Sequence, residues 1–432
     1  MTRTPASVLA LCLACMTLEG YDVVAYGAAL PFLLAHPGWE VTTAQAGLLG
    51  SLTPVGMLVG AVVVGLLTDR LGRRRLVLVS TAVFSVAMLL CGLAPGVVLF
   101  GIGRLLVGLG VGGVLPSIAA LVYEYSAPGR HHVNTALAFA GVGVGGALAA
   151  VVAAVFGPDL GFRVVYLVGG GAALVVLPLA LRFLPESLVY LRSRGRDGEA
   201  TRWAARLGVS EVAAEEPAAA RSGVGVLFSR SYRTTTVMFC LTTFASLLVL
   251  FGLYTWLPQL MRSAGYELGS ALTFLIVLNL GTAVGPLLLG GLADRFGSRV
   301  VTAGSFLLAV VGISVLSQPL PSVLLYVAVV LAGIGTVGTQ ILINVFIASR
   351  YPVDVRATAI GVALSVGRIG GIVGPLYGAF LLTTQLPLPV LFLAFAAPAL
   401  LGAVLVASIP RAGATRPETA GAGPRRHDLQ AQ

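Results

Sequence analysis

Two carboxylic acids, Glu19 and Asp22, stand three residues apart in an otherwise apolar stretch near the start of the chain. Side chains at that spacing share one side of a helix. An ionisable group at bilayer depth costs about 2.5–3.5 kcal/mol on insertion scales, so its presence points to function. Burial and mutual repulsion keep two such carboxyls from ionising together. One of them is therefore suited to take a proton on one side of a barrier and release it on the other. Two arginines lie in comparable stretches, Arg104 in the fourth and Arg368 in the eleventh. A guanidinium presents a planar fork of donors that matches a carboxylate. Arg104 can pair with Glu19 and Asp22 and hold the first helices together, whereas Arg368 has no acid near it in its own half of the chain. Glu124 closes the fourth stretch, where an interfacial role also fits.

Other chemistry finds little support. The four histidines, at 36, 131, 132 and 427, do not form a metal-spaced cluster, and no serine has an evident base partner inside the apolar stretches. No metal and no cofactor is expected. Cys12 and Cys15 form a C-x-x-C inside an apolar helix without His or Cys partners, which reads as packing. Gly108, Gly110 and Gly113 fit G-x-G-x-x-G, but no strand precedes them, so close helix approach replaces the dinucleotide reading. His131 and His132 fall in a polar turn and read as solvated.

The elements that must hold these groups follow from composition. Of 432 residues, 57% are hydrophobic and 10% charged, with a mean hydropathy of +0.96. Globular proteins carry about a quarter charged residues, so a soluble enzyme is excluded, and four Cys exclude a disulfide scaffold. The apolar runs are long and do not alternate, which selects membrane-spanning helices over barrel strands. Twelve spans are predicted in two blocks: a six-helix bundle over 1–184, a polar cytoplasmic connector over 185–233 with a short surface helix near Glu199–Leu207, a second six-helix bundle over 234–409, and a disordered tail over 410–432. The first span lacks a small-residue cleavage pattern and reads as retained.

A net charge of +10 might suggest nucleic acid, but every one of the 27 basic residues is Arg, and their placement is topological. With the N-terminus inside, only Arg163 and Arg262 face out, and Arg104 and Arg368 lie within spans. The other 23 (27 less these four) face the cytoplasm. That asymmetry orients the chain with both termini cytoplasmic. The expected partners are a lipid bilayer and small solutes, not nucleic acid.

The halves echo one another. Gly65, Asp69, Arg70, Gly72, Arg73 and Arg74 follow the second span, and Gly290, Asp294, Arg295 and Gly297 follow the eighth, at an offset of 225 residues from Asp69 to Asp294. An internal six-span repeat is the mark of a transporter whose halves rock about a midplane site. The turn at 65–74 and its copy resemble the hallmark of the major facilitator superfamily, and Arg104 through Gly112 resembles a second motif of that superfamily. The resemblance implies an all-α integral membrane fold of two pseudo-symmetric six-helix bundles, in a bacterial cytoplasmic membrane and working as a monomer. It also implies a conformational latch at the two turns, with Asp69 facing the N-terminus of a neighbouring helix.

Glu19-Gly20-Tyr21-Asp22, Tyr254 through Met261, Gln340, and the run from Arg356 to Pro375 are together similar to the aromatic acid:proton symporters, with Glu19 where that family usually carries Asp. The similarity implies uptake of an aromatic carboxylate such as benzoate or hydroxybenzoate, with protons as the coupling ion. Asp22, Glu19 and Arg104 are then the proton-coupling residues. Arg368 receives the carboxylate, Tyr21, Tyr26 and Trp256 supply ring faces, and Asn279, Gln340 and Asn344 supply hydrogen bonds. Trp256 could instead be an interfacial belt residue. The alternatives are an importer of another organic anion (nicotinate, muconate) and a drug:proton antiporter, although the fifth span lacks that group's Gly-Pro. Pro185-Glu186-Ser187 hints at a sugar porter, but the paired glutamines expected in the seventh span are missing.

Overall fold

The structure is a computed structural model and describes residues 5–127, 130–207 and 224–410, the side chains of Asp69, His132 and Val353 excepted. Residues 411–432, most of the expected tail, lie outside it. Every regular element among the described residues is helical, as a lipid-embedded backbone requires when it must satisfy its own hydrogen bonds.

The first half comprises α1 (Ala6–Leu34), α2 (Thr43–Leu71), α3 (Arg73–Leu93), α4 (Val97–Val111), α5 (Val114–Glu124), α6 (His131–Leu160) and α7 (Arg163–Phe183). Two short helices, α8 (Leu188–Ser193) and α9 (Asp197–Leu207), follow in the connector. The second half comprises α10 (Arg233–Ser263), α11 (Leu268–Phe296), α12 (Ser298–Val315), α13 (Ser322–Arg350), α14 (Val353–Thr383) and α15 (Leu388–Ser408). Twelve segments are long and apolar enough to cross a bilayer. One differs from a plain helix: the fourth span breaks at Gly112–Gly113, so α4 and α5 are separate pieces. Glycine there lets the backbone press against Met57 and Val64 of α2, and the low helix propensity of two adjacent glycines ends α4.

Packing repeats between the halves. α1 lies along α6 as α10 lies along α14, α2 along α4 as α11 along α13, and α3 along α7 as α12 along α15. The tight turns repeat too. Gly72 and Gly297 both sit at φ +86°, a left-handed conformation that a side chain disfavours. Beyond them, Arg74 donates to the Leu181 carbonyl of α7, and Arg299 donates to the Ala407 carbonyl of α15.

Three helix pairs make most of the contact between the halves among the described residues: α1 with α10, α2 with α14, and α6 with α11. Their crossing points are glycines. A side chain at Gly27 would meet the Tyr254 carbonyl, and one at Gly50 would meet Pro375. Ser51 Oγ donates to the Ile372 carbonyl at 2.6 Å. Toward the other end of the same helices, Gly65 of α2 and Gly361 of α14 have no neighbouring atom within 4 Å of where a side chain would begin. Gly290 and Gly291 of α11 are equally open. Among the described residues, the halves therefore meet at one end and part toward the end that carries the α2–α3 and α11–α12 turns. Around the outside, Val98, Leu174 and Val323 are exposed, as a lipid-facing surface allows.

Candidate functional site

The intramembrane charges fall into two groups. Asp22 is wholly buried on α1, and Arg104 Nη1 of α4 lies 3.5 Å from its Oδ1. The guanidinium carbon sits 4.7 Å from the centroid of the Tyr26 ring, which adds a cation–π contact. Thr53 Oγ1 of α2 donates to the Arg104 carbonyl at 2.9 Å and fixes the backbone that carries it. Neither Asp22 oxygen accepts a hydrogen bond, and Arg104 Nε and Nη1 donate none, among the described residues. Buried polar atoms are rarely left so. The arrangement is a charge pair held short of full hydrogen bonding.

Tyr166 belongs to this group although its sequence gave no motif to find it by. It is fully buried on α7, interacts electrostatically with Arg104 and Asp22, and its hydroxyl has no partner among the described residues. A phenol inside an apolar span was the available signal. Its ring meets Phe100 edge-on at 5.2 Å, and Phe100 in turn meets Phe162 at 5.7 Å. His36 and Trp39 cover Phe162 at 5.1 and 5.0 Å. This stack runs from Tyr166 to His36 and Trp39 of the α1–α2 loop.

The second group spans the seam. Glu19 is 2% exposed on α1, and its Oε2 has no hydrogen-bond partner among the described residues. The Arg368 guanidinium of α14 is half-buried and reaches across the seam to donate to the Met57 carbonyl of α2. Glu19 and Arg368 make no ion pair among the described residues, so what Arg368 takes from the first half is a backbone carbonyl.

The aromatic candidates separate. Tyr26 joins the seam: its ring lies against Gly50 beside Pro375, and its hydroxyl donates to the Ala46 carbonyl at 2.5 Å. Tyr21 instead packs between α1 and α7 and donates to the Val165 carbonyl at 2.8 Å. Trp256 is no belt residue. It is fully buried, its indole N–H donates to the Pro375 carbonyl at 2.8 Å, and Gly378 lies against its ring. The indole thereby ties α10 to the α14 backbone at the proline of that helix.

Among the amides, Asn279 of α11 is buried against Gly146 of α6, with Nδ2 bonded back to Leu275 and Oδ1 without a partner. Gln340 and Asn344 are one turn apart on α13, and both carry unpartnered amide atoms among the described residues. Cys12 and Cys15 are buried with other apolar side chains of the first half.

Comparison with known proteins meets this geometry. The family model described as Major Facilitator Superfamily matches residues 12–375 and again 277–430. The chain belongs to the major facilitator superfamily. It is 35% identical to the benzoate transport protein of Acinetobacter baylyi, with 90% of this chain and 86% of that protein aligned. It is 36% identical to the gentisate transporter of Corynebacterium glutamicum, over 91% and 85% of the two chains. Among solved structures, the xylose transporter XylE of E. coli in a partially occluded inward-open conformation superposes with a TM-score of 0.74, at 15% identity and covering 94% and 98%. The facilitator is a multi-pass membrane transporter, not an enzyme.

In this facilitator the turn after α2 is built into a polar cluster of its own half. Arg73 pairs with Glu124, whose Oε1 also accepts from Ser187 Oγ and whose Oε2 accepts from the Leu188 N–H, each at 2.9 Å. Glu186 Oε1 accepts from the backbone N–H groups of Arg74 and Ser187 at 2.9 Å, and so sits at the N-terminus of α3. Tyr190 Oη and Arg194 donate to the Arg70 carbonyl. Glu186, noticed in sequence only within a Pro-Glu-Ser triplet, is the residue that caps the turn. Asp69, the proposed latch acid, lies outside the described side chains. Asp294 and Arg295 are exposed on the C-terminal turn of α11, where Arg295 stacks on Phe296 at 5.3 Å.

Glu124 is 4% exposed and accepts from three donors, so Glu124→Gln removes the charge that Arg73, Ser187 and Leu188 share in a largely buried site. Loss of one partner from such a pair costs about 3–5 kcal/mol when buried and less where water reaches it. The expected result is a drop of several degrees in the detergent-solubilised melting temperature. An unchanged melting curve would show that the cluster does not hold the turn.

Proposed function

We propose that this facilitator is a proton-coupled symporter that imports a small aromatic carboxylate, such as benzoate or a hydroxybenzoate, across the bacterial cytoplasmic membrane by alternating access. Both termini are cytoplasmic in this reading, the proton is the coupling ion, and the monomer suffices. The observation that carries it is a pair of buried acids one turn apart on α1, one of them paired with Arg104 inside the first half, together with a second intramembrane arginine, Arg368, on the seam. The relatives named for benzoate and gentisate transport support the choice of cargo.

Arg368 offers its fork to the carboxylate of the cargo, and Tyr26 and Pro375 offer apolar surface to the ring. Asn279 and the α13 amides have free capacity for ring substituents. Proton uptake by the Glu19–Asp22 pair offsets the charge of the arriving anion, so the halves close over a site with no extra buried charge. One proton with one monoanion moves no net charge, and the pH gradient alone then drives accumulation. The parted end of the bundle, which carries the Arg-rich turns, is the cytoplasmic one under the charge rule.

The test is uptake in proteoliposomes with labelled benzoate, gentisate, gallate and 4-hydroxybenzoate. An acidic exterior should produce accumulation of at least one acid, abolished by an uncoupler. A potassium-diffusion potential without a pH gradient should produce none. Failure of every acid to accumulate under an inward proton gradient removes the reading.

A further inference from the structure

One turn of α2 touches both intramembrane arginines. Asp22 of α1 pairs with Arg104 of α4 at 3.5 Å. The backbone carbonyl of that same Arg104 accepts a hydrogen bond from Thr53 Oγ1 at 2.9 Å. Thr53 is 2% exposed, and Met57 stands one helical turn further along α2. The Met57 carbonyl in turn accepts from the Arg368 guanidinium of α14. Every link from the Asp22 carboxylate to the Arg368 fork is thus an ion pair, a hydrogen bond or a single stretch of helix.

The packing of α2 on α4 lets this chain of contacts carry a displacement. Side chains begun at Gly56 and Gly60 would meet the Leu105 and Leu109 carbonyls, and ones at Gly108 and Gly112 would meet those of Thr53 and Met57. Backbone lies on backbone, with no flexible side chain between to absorb a shift. Such contacts fix the spacing of two helices but leave them free to slide along their length. The Thr53 hydroxyl ties a point on α2 to a point on α4.

We propose that Thr53 is a positioning residue that couples proton to cargo through the 53–57 turn of α2. This deepens the symport reading above and rests on it. A proton on an Asp22 oxygen ends the charge attraction that holds Arg104 toward α1. α4 then shifts at Arg104, the Thr53 hydroxyl draws the α2 turn with it, and the Met57 carbonyl withdraws from Arg368. The fork is left free for the cargo carboxylate. In this structure the Asp22–Arg104 pair and the Arg368–Met57 bond occur together, the combination this order of events assigns to the unprotonated protein without cargo. Ionised Asp22 opposes cargo binding and protonated Asp22 favours it, the sign that symport needs.

The groups around Asp22 leave Arg104 as its counter-charge. On α1, Tyr26 lies under the Arg104 guanidinium, Tyr21 is bonded to the Val165 carbonyl, and Glu19 stands one turn away. α7 brings Tyr166, whose ring meets Phe100 of α4, and α3 brings Cys91, whose Sγ donates to the Phe100 carbonyl. α6 lays Val142 and Gly145 along α1, α11 brings Asn279 to Gly146 beside Val24, and α10 meets Gly27 with the Tyr254 carbonyl. Glu124 of α5 is engaged by Arg73.

The experiment is equilibrium binding to the purified full-length protein from about pH 5 to about pH 8, with benzoate, gentisate, gallate and 4-hydroxybenzoate as probes. Wild-type affinity for at least one of them should weaken at least about tenfold from the acidic to the alkaline end. Thr53→Val removes the hydroxyl at nearly constant shape. Its affinity should change by about twofold or less over the same range, with a melting temperature close to that of wild type. Thr53→Ser keeps the hydroxyl and should restore the wild-type dependence; Thr53→Ala replaces the Val variant if that one does not fold. Asp22→Asn should bind at every pH about as tightly as wild type does at the acidic end. A Thr53→Val protein with the wild-type dependence on pH overturns the coupling route while leaving the transport reading standing, because the proton then acts on the cargo without α2. Wild-type binding that ignores pH overturns it too. If no probe binds the wild type at any pH, the transport reading and the coupling route fall together.

Discussion

Asp22→Asn yields a carrier that exchanges aromatic acid across the membrane but no longer concentrates it. The neutral amide cannot accept and release the proton, whereas Arg368 and the seam remain able to hold cargo. Counterflow of labelled for unlabelled acid should persist, and accumulation driven by a pH gradient should fall at least about a hundredfold in initial rate, equivalent to about 2.7 kcal/mol. The substitution has a second effect. Arg104 is 2% exposed and has Asp22 as its ion-pair partner. Removal of one member of a buried pair costs about 3–5 kcal/mol, so the melting temperature should fall as well. The double variant Asp22→Asn with Arg104→Gln separates the two: it should recover much of the stability without recovering accumulation. Uptake by Asp22→Asn with its full dependence on the pH gradient would discard the coupling role.

Arg368→Gln is expected to lose affinity for every carboxylate cargo by about a hundredfold or more. Hydrogen bonds to a charged group contribute about 1.5–3 kcal/mol each, and a forked carboxylate contact makes two. Arg368→Lys keeps the charge but not the planar fork, so it should restore only part of the loss. The measurement is binding of benzoate at acidic pH, together with the melting temperature to exclude misfolding. Equal affinity in Arg368→Gln and wild type would place the carboxylate elsewhere.

Much of the fold was legible because a bilayer imposes simple rules. Span lengths, the Arg asymmetry and the 225-residue echo of Asp69 in Asp294 need no tertiary knowledge. The helices of the structure begin and end within a few residues of the apolar stretches. What the sequence could not display was which neighbour each side chain meets. Spacing by three places Glu19 and Asp22 on one side of α1, but each residue advances 100° around the axis and 1.5 Å along it. The two acids therefore look in directions some 60° apart and at different heights. That is enough for Asp22 to meet Arg104 of α4 while Glu19 does not. What Arg368 meets was equally hidden: its contact in the first half, the Met57 carbonyl, arrives only when the halves meet.

Trp256 and Tyr21 fail as simple ring walls on related grounds. An aromatic near the end of a span predicts a belt position, but the packing of α10 against α14 buries the indole and gives its N–H the Pro375 carbonyl as acceptor. Glu186 was hidden by its setting, an acid in a connector rich in charge. Its meaning appears only when the chain returns it to the first residues of α3.

The seam is made largely of glycines pressed against backbone and small side chains, at Gly27, Gly47, Gly50 and Gly143, with a few hydrogen bonds such as Ser51 to Ile372. Surfaces of that kind have few interlocked side chains to unthread, so they can separate along a smooth path. The free-energy gap between the two rocking states can then be small. A ligand shifts such an equilibrium only by its difference in affinity for the two states, and about 5.5 kcal/mol carries a population from one extreme to the other. A bland, nearly featureless contact between the halves is what lets so small a passenger act as the ballast that tips the whole molecule.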